Sequence, residues 1–221
     1  MTYSKIIRNI RLEPEEFVDS WNTLEEIFSQ NFYDGDSSSE SLIHIEPRNN
    51  LKIYLVAGHS VNHLREGVPK KADRGTGGLA LLLSQLTGTG CLVLANSEAG
   101  DSNFDEEHLL KDQLKKIHPT CVIDLHGMKS FQDSSDIDLG LGDGLIPELF
   151  IQRLQDENNL HVTVNQHFDG KREGTVTRFA QSLSIEACQV EISDALRPPL
   201  GEIPKLQNLV HSLSTALRVM E

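Results

Sequence analysis

Cationic side chains are scarce in this chain. Across 221 residues, 20 Lys and Arg stand against 33 Asp and Glu, a formal charge of −13 at neutral pH, and no cationic run exceeds two residues. A surface so acidic repels phosphodiester backbones and anionic lipid headgroups, which argues against nucleic acid or membrane as partner and leaves a small-molecule substrate as the expected one. Long apolar runs are absent too, none nearing the ~20 residues a membrane helix needs. The opening MTYSKIIRNIRLEPEEF carries acid by position 13 and no apolar block closed by small residues, which argues against a secretory signal. Cysteine is limited to Cys91, Cys121 and Cys188, far apart and odd in number, without a CxxC pair. Cys91 and Cys121 lie in apolar runs, as reduced buried thiols do. These absences together point to the cytoplasm. With 38% hydrophobic residues and no internal repeat, the length suits a single α/β domain over 1–221. Residues 1–50 read as an N-terminal helical/strand extension, interrupted by a flexible surface loop at 34–41, the only low-complexity stretch.

What the chain does contain is a regular alternation. The runs LKIYLVAG (51–58), CLVLAN (91–96), TCVIDLHG (120–127), DIDLGLG (136–142), LHVTVNQ (160–166) and EACQVEIS (186–193) read as strands. Several are apolar throughout, as strands covered on both faces are. Helical periodicity marks Glu13–Gln30, with Phe17, Trp21, Leu24, Ile27 and Phe28 on one face, and Lys205–Met220. Leu79–Leu86, Asp105–Ile117 and Ile146–Asp156 are further helical candidates. The pattern predicts an α/β fold: a mostly parallel or mixed central sheet with helices on both faces. Sites in such sheets lie beyond the carboxyl ends of the strands.

At those ends stand His59, in Gly58-His59-Ser60-Val61-Asn62-His63, then Asp124-Leu125-His126-Gly127, and Glu191 after Gln189-Val190. Were the strands parallel neighbours, two imidazoles and a carboxylate would share one rim. That set suits a catalytic zinc, which takes three protein ligands and keeps one position open. A hydrogen-bonded surface histidine or a strand-end glutamate is the plainer reading of each residue alone. Asp124 is expected on the opposite side of its strand, able still to orient a neighbouring ligand. His108, His118, His161 and His211 show no metal spacing, and His167 stands in a loop that the sequence does not join to a metal-ligand set.

In this order, His59-Ser60, Asp73, Asp124-Leu125-His126-Gly127, Asn165…Gly170…Gly174-Thr175-Val176-Thr177 and Gln189-Val190-Glu191 resemble the N-formylglutamate amidohydrolase family over roughly residues 52–197. The resemblance implies a zinc carboxypeptidase-like or phosphorylase/hydrolase-like fold and hydrolysis of the amide bond of a small N-acyl amino acid. It further implies His59 and His126 as zinc ligands and Glu191 as the base for the attacking water. For the third ligand, Glu66 and His63 lie nearer His59 in sequence, but the family places an acid just before the helix that follows, where Asp73 stands. Gly174 and Thr175 are candidate backbone donors to the oxyanion. Two differences stand out. Gly127 replaces a Ser after the second histidine, and Phe104 replaces the Arg of an Asp-x-Asn-Arg turn that in the wider superfamily grips a substrate carboxylate. That leaves Arg178 and Arg197 as candidate catalytic anion clamps, or as members of surface salt bridges.

Rival readings are a non-catalytic module binding anions at Gly75-Thr76-Gly77-Gly78, ahead of a helix but without a P-loop's Gly-Lys-Ser/Thr ending, and a metal-free cysteine hydrolase. Gly58-His59-Ser60 does not form a Gly-x-Ser-x-Gly nucleophile elbow.

Overall fold

The computed structural model describes residues 13–48, 52–130, 135–144, 146, 148–156 and 160–220. The first 12 residues of the N-terminal extension, Leu51 and Pro147 lie outside these. The apolar bursts form a seven-stranded sheet in the order β1-β5-β2-β6-β9-β7-β8. Its members are β1 (Leu42–Ile45), β2 (Ile53–Ala57), β5 (Gly90–Leu94), β6 (Cys121–Met128), β7 (Ile137–Gly140), β8 (Val162–Val164) and β9 (Glu186–Ser193). A separate hairpin joins β3 (His63–Arg65) to β4 (Val68–Lys70). The four central strands β5, β2, β6 and β9 run parallel, while β1 is antiparallel to β5 and β7 to β9. β2 and β5 are buried at every position, which is why their sequences are apolar without alternation.

Two groups of helices cover the sheet. α2 (Thr76–Thr87) packs on β2 and β5 and against α1 (Phe17–Tyr33) and α6 (Ile203–Arg218), while α6 also meets α4 (Glu148–Asp156). α5 (Val176–Ser182) lies on β6 and β9 and touches α3 (Leu109–Ile117). α2 is buried along almost its whole length, consistent with an apolar run that shows no polar face. No helix among the described residues is long and apolar enough to cross a membrane.

The N-terminal segment is more integral than an extension. Trp21, Leu24 and Phe28 have no exposed surface and join the one large apolar cluster, and β1 completes the sheet edge. Helical dihedrals end at Gln30, and Asn31, Phe32 and Tyr33 follow with φ of 50°, 58° and 73°. Three successive left-handed non-glycine residues are costly, and the turn is held by tertiary bonds. Asn62 donates from its backbone to Tyr33 O and from its side chain to Phe32 O and Asp34 Oδ1. The loop at 34–41 is likewise tied down: Ser97 donates to Asp34 O, Ala95 donates to Ser41 O, and Asp36 accepts from Ser38 and Ser39.

Candidate metal centre

Because β2, β6 and β9 are parallel neighbours, the residues at their carboxyl ends meet at one rim. His59 follows β2, His126 lies near the end of β6, and Glu191 on β9 is in register with His126. Asp73 arrives from the loop between β4 and α2, where its backbone N–H donates to His59 O and its carbonyl accepts from Thr76. Its Oδ2 lies 3.2 Å from His126 Nδ1 and 3.6 Å from His59 Nδ1. Tetrahedral zinc, with bonds of about 2.0–2.1 Å, places its donors roughly 3.3 Å apart, so the donor set fits such an ion. Glu66 is exposed at the tip of the β3–β4 turn with φ of 51°, away from both histidines. His63 is stacked on His59, ring centroids 4.2 Å apart, and its Nε2 is 3.5 Å from Asp101 Oδ2. It forms a second potential donor group, with His59 and Asp101, on the far side of the His59 ring.

The outer nitrogen of each histidine is backed by a carboxylate. His59 Nε2 is 2.9 Å from Asp101 Oδ1, and His126 Nε2 is 3.2 Å from Asp124 Oδ2. Such partners keep the proton on the outer nitrogen and free the inner one for a metal. The expectation that Asp124 lies opposite His126 is therefore corrected: residues two apart on a strand share a face, and Asp124 reaches the ring directly. Asn103 accepts from Val176 N at the start of α5 and sets its side-chain nitrogen 3.0 Å from His126 Nε2, a contact between two donors when that nitrogen carries its proton to Asp124.

Burial opposes charge on all these groups, and their mutual contacts outweigh it. His126 and His59 hold Asp73 far below the usual carboxylate range, while Asp101 and Asp73 raise His59. Asp124, Asp73 and Glu191 raise His126 well above its ordinary value. Glu191 differs, because burial dominates and lifts it to about 7, the range of a general acid–base. Its other neighbour, Asp138 on β7, is spent on structure, accepting from the backbone N–H groups of Gln166, His167 and Phe168.

The two arginines expected as clamps are both engaged by other groups, Arg197 close enough to Asp73 and Glu191 to feel their charge. Arg178 pairs with Asp143 and Glu173. Asp143 follows β7, which runs antiparallel to β9, so the pair lies toward the opposite end of the sheet from Glu191. Arg197 is 6% exposed and uses Nε, Nη1 and Nη2 on the carbonyls of Ile192, Arg74 and Met128, a buried staple between three segments. This accounts for Gly127, since a Cβ there would lie 2.5 Å from Arg197 Cζ. Thr175 caps α5 with its hydroxyl, and its N–H is directed to Arg172 O rather than to the rim.

Sequence reasoning missed Arg65. Its Nε donates to Asp101 Oδ2 at 2.7 Å, its guanidinium lies 5.8 Å from the centre of the Phe104 ring, and its side chain is 21% exposed. Its place two residues after His63 on a short strand was the available signal. Both rival readings lose their footing. The N-terminus of α2 is already occupied by the Glu25 carboxyl group, which burial lifts to about 7 and whose oxygens accept from Gly75 N and Gly78 N. Cys91 and Cys121 are buried thiols pushed up to about 12 by desolvation, the opposite of an activated nucleophile.

No family model and no curated protein sequence matches this chain. Solved structures do. N-formylglutamate amidohydrolase from Ralstonia eutropha JMP134 aligns at TM-score 0.55 and 14% identity, covering 81% of this chain and 96% of its own. A bacteriophage poly-gamma-glutamate hydrolase aligns at 0.53 and 16%, covering 83% and 89%. A gene product from Agrobacterium tumefaciens aligns at 0.56 and 13%, covering 89% and 98%. At such identities the likeness is one of fold, and by fold this chain stands with the N-formylglutamate amidohydrolase and the phage hydrolase.

Proposed function

We propose that the chain is a metal-dependent amidohydrolase acting on a small N-acyl amino acid or related compound, with His59, Asp73 and His126 as the ligands of a zinc ion. The observation that carries this reading is the convergence of three donors at metal-ligand spacing, each imidazole backed by a buried acid and Glu191 alongside. A bound divalent ion would supply Lewis acidity, lowering the pKa of a water and polarising the amide carbonyl. Glu191, poised near neutrality, takes the proton of the attacking water and returns it to the leaving amine nitrogen. Asp101 and Asp124 hold the two imidazoles in the tautomer that donates outward and ligates inward.

An anionic group on the substrate is taken up by Arg65 rather than by Arg178 or Arg197. Nε is fixed on Asp101, and among the described residues the two terminal nitrogens make no hydrogen bond, leaving a fork suited to a carboxylate. Metal analysis of the purified chain should find about one zinc per molecule. Glu191→Gln should keep that zinc and lose on the order of a hundredfold in turnover on the best of a panel of N-acylated acidic amino acids. A variant turning over as fast as the parent would remove Glu191 from the reaction. Arg65→Met should raise KM for acidic substrates on the order of tenfold while Arg178→Ala leaves it unchanged; the reverse would return the clamp to Arg178.

A further inference from the structure

The segment that carries Asp73 is fixed by α1, a helix that contributes nothing to the metal centre itself. Two residues after Asp73, Gly75 is gripped at both backbone groups: its N–H donates to Glu25 Oε1 at 2.7 Å, and its carbonyl accepts from Trp21 Nε1 at 2.7 Å. The other Glu25 oxygen accepts from Gly78 N at 2.8 Å. A single carboxylate thus closes the first turn of α2 from outside, where the helix has N–H groups without internal partners. Glu25 is 5% exposed and Trp21 fully buried, so no water competes for these contacts.

The glycines are cut to this arrangement. Gly75 has φ of 90°, and a Cβ on Gly78 would lie 2.9 Å from both Glu25 N and Glu25 Oε2. Asp73 itself is bound at its backbone on both sides, to His59 O and to Thr76. Its carboxylate therefore meets His59 and His126 only as long as the 73–78 turn keeps this path.

We infer that Glu25 is a positioning residue for the metal centre, holding Asp73 at ligand distance through the α2 turn. The inference rests on the metal reading above. A glutamine cannot replace the carboxylate, because its amide nitrogen donates and would face one of two N–H groups that both need an acceptor.

The test titrates metal-free parent and Glu25→Gln with zinc against a competing chromophoric chelator, and follows amide exchange of residues 73–78 in the same metal-free samples. We expect the zinc dissociation constant to rise on the order of tenfold, the scale on which supporting partners act, with the faster exchange centred on 73–78. Exchange should rise in that turn first, before β2 or β6. A folded Glu25→Gln with parental zinc affinity, even at a lower melting temperature, would overturn the inference and reduce Glu25 to a stability role. Should that variant not fold, Trp21→Phe decides: it keeps an aromatic ring and the carboxylate, and removes the bond to Gly75 O together with part of the buried indole's volume. A several-fold loss of zinc affinity is expected, and none would overturn the inference. A parent that binds no zinc would overturn the metal reading and this inference with it, a result distinct from equal affinities in parent and variant.

Discussion

Asp73 and Glu66 are seven residues apart, and both are acids near His59 in sequence. Conformation separates them. Glu66 occupies a left-handed turn position at an exposed hairpin tip, whereas Asp73 is drawn back to the sheet edge by its N–H bond to His59 O. Asp73→Ala should leave the protein folded and strip most of its zinc; Glu66→Ala should retain a full complement. Metal analysis after dialysis against a weak chelator reads the difference, and zinc loss in the Glu66 variant alone would transfer the role. On the proposed assignment, the same contrast explains why local spacing is a poor guide to the third ligand. What matters is where the chain returns after the β3–β4 excursion.

At the level of elements, the end of β6 shows how a motif residue answers to a distant side chain. Gly127 leaves room for the Arg197 guanidinium, which ties the carbonyls at 74, 128 and 192. Gly127→Ser should displace that group and cost about 1–3 kcal/mol, the range for overpacked interiors, seen as a fall of several degrees in melting temperature. An unchanged melting temperature would mean that Arg197 relaxes freely. The parallel core strands were legible in the sequence because burial on both faces writes itself as unbroken apolar runs. β9 matches its expected bounds at 186–193. The hairpin was not legible: its strands are three residues each, and β4 is wholly exposed, so neither periodicity nor burial marks them. β1 went unseen for a related reason, being four residues with only Ile43 buried. His59, His126 and Glu191 stood out because polar groups ending apolar strands are rare. Glu25 did not, since a buried acid on a helix reads like any solvated one until its partners, fifty residues on, are placed.

For the molecule as a whole, the proposed zinc would compete with protons for the same nitrogens. In the metal-free fold His126 is raised well above its ordinary value and His59 is raised as well, by burial-resistant contacts with Asp124, Asp101 and Asp73. A raised histidine contributes stability that is complete below its unfolded pKa of about 6.5 and is lost as pH climbs through the folded value. The metal-free protein should therefore lose this contribution with rising pH, while zinc affinity increases over the same window because fewer protons must be displaced. Calorimetric zinc titrations in buffers of different ionisation enthalpy should show proton release near neutrality that fades at higher pH; no buffer dependence would contradict the raised values. Asp101 extends this linkage beyond the metal. One of its oxygens serves His59 and the other serves Arg65, so the charge on a single buried carboxylate is shared between the two halves of the site. Under the proposed function, a substrate anion that neutralised Arg65 would leave Asp101 pulling harder on the His59 proton and make that imidazole the better donor. On the proposed reading, substrate would then tighten the hold on zinc, and by reciprocity zinc would tighten the hold on substrate by the same factor, a coupling carried through Asp101 in addition to the contact at the scissile amide.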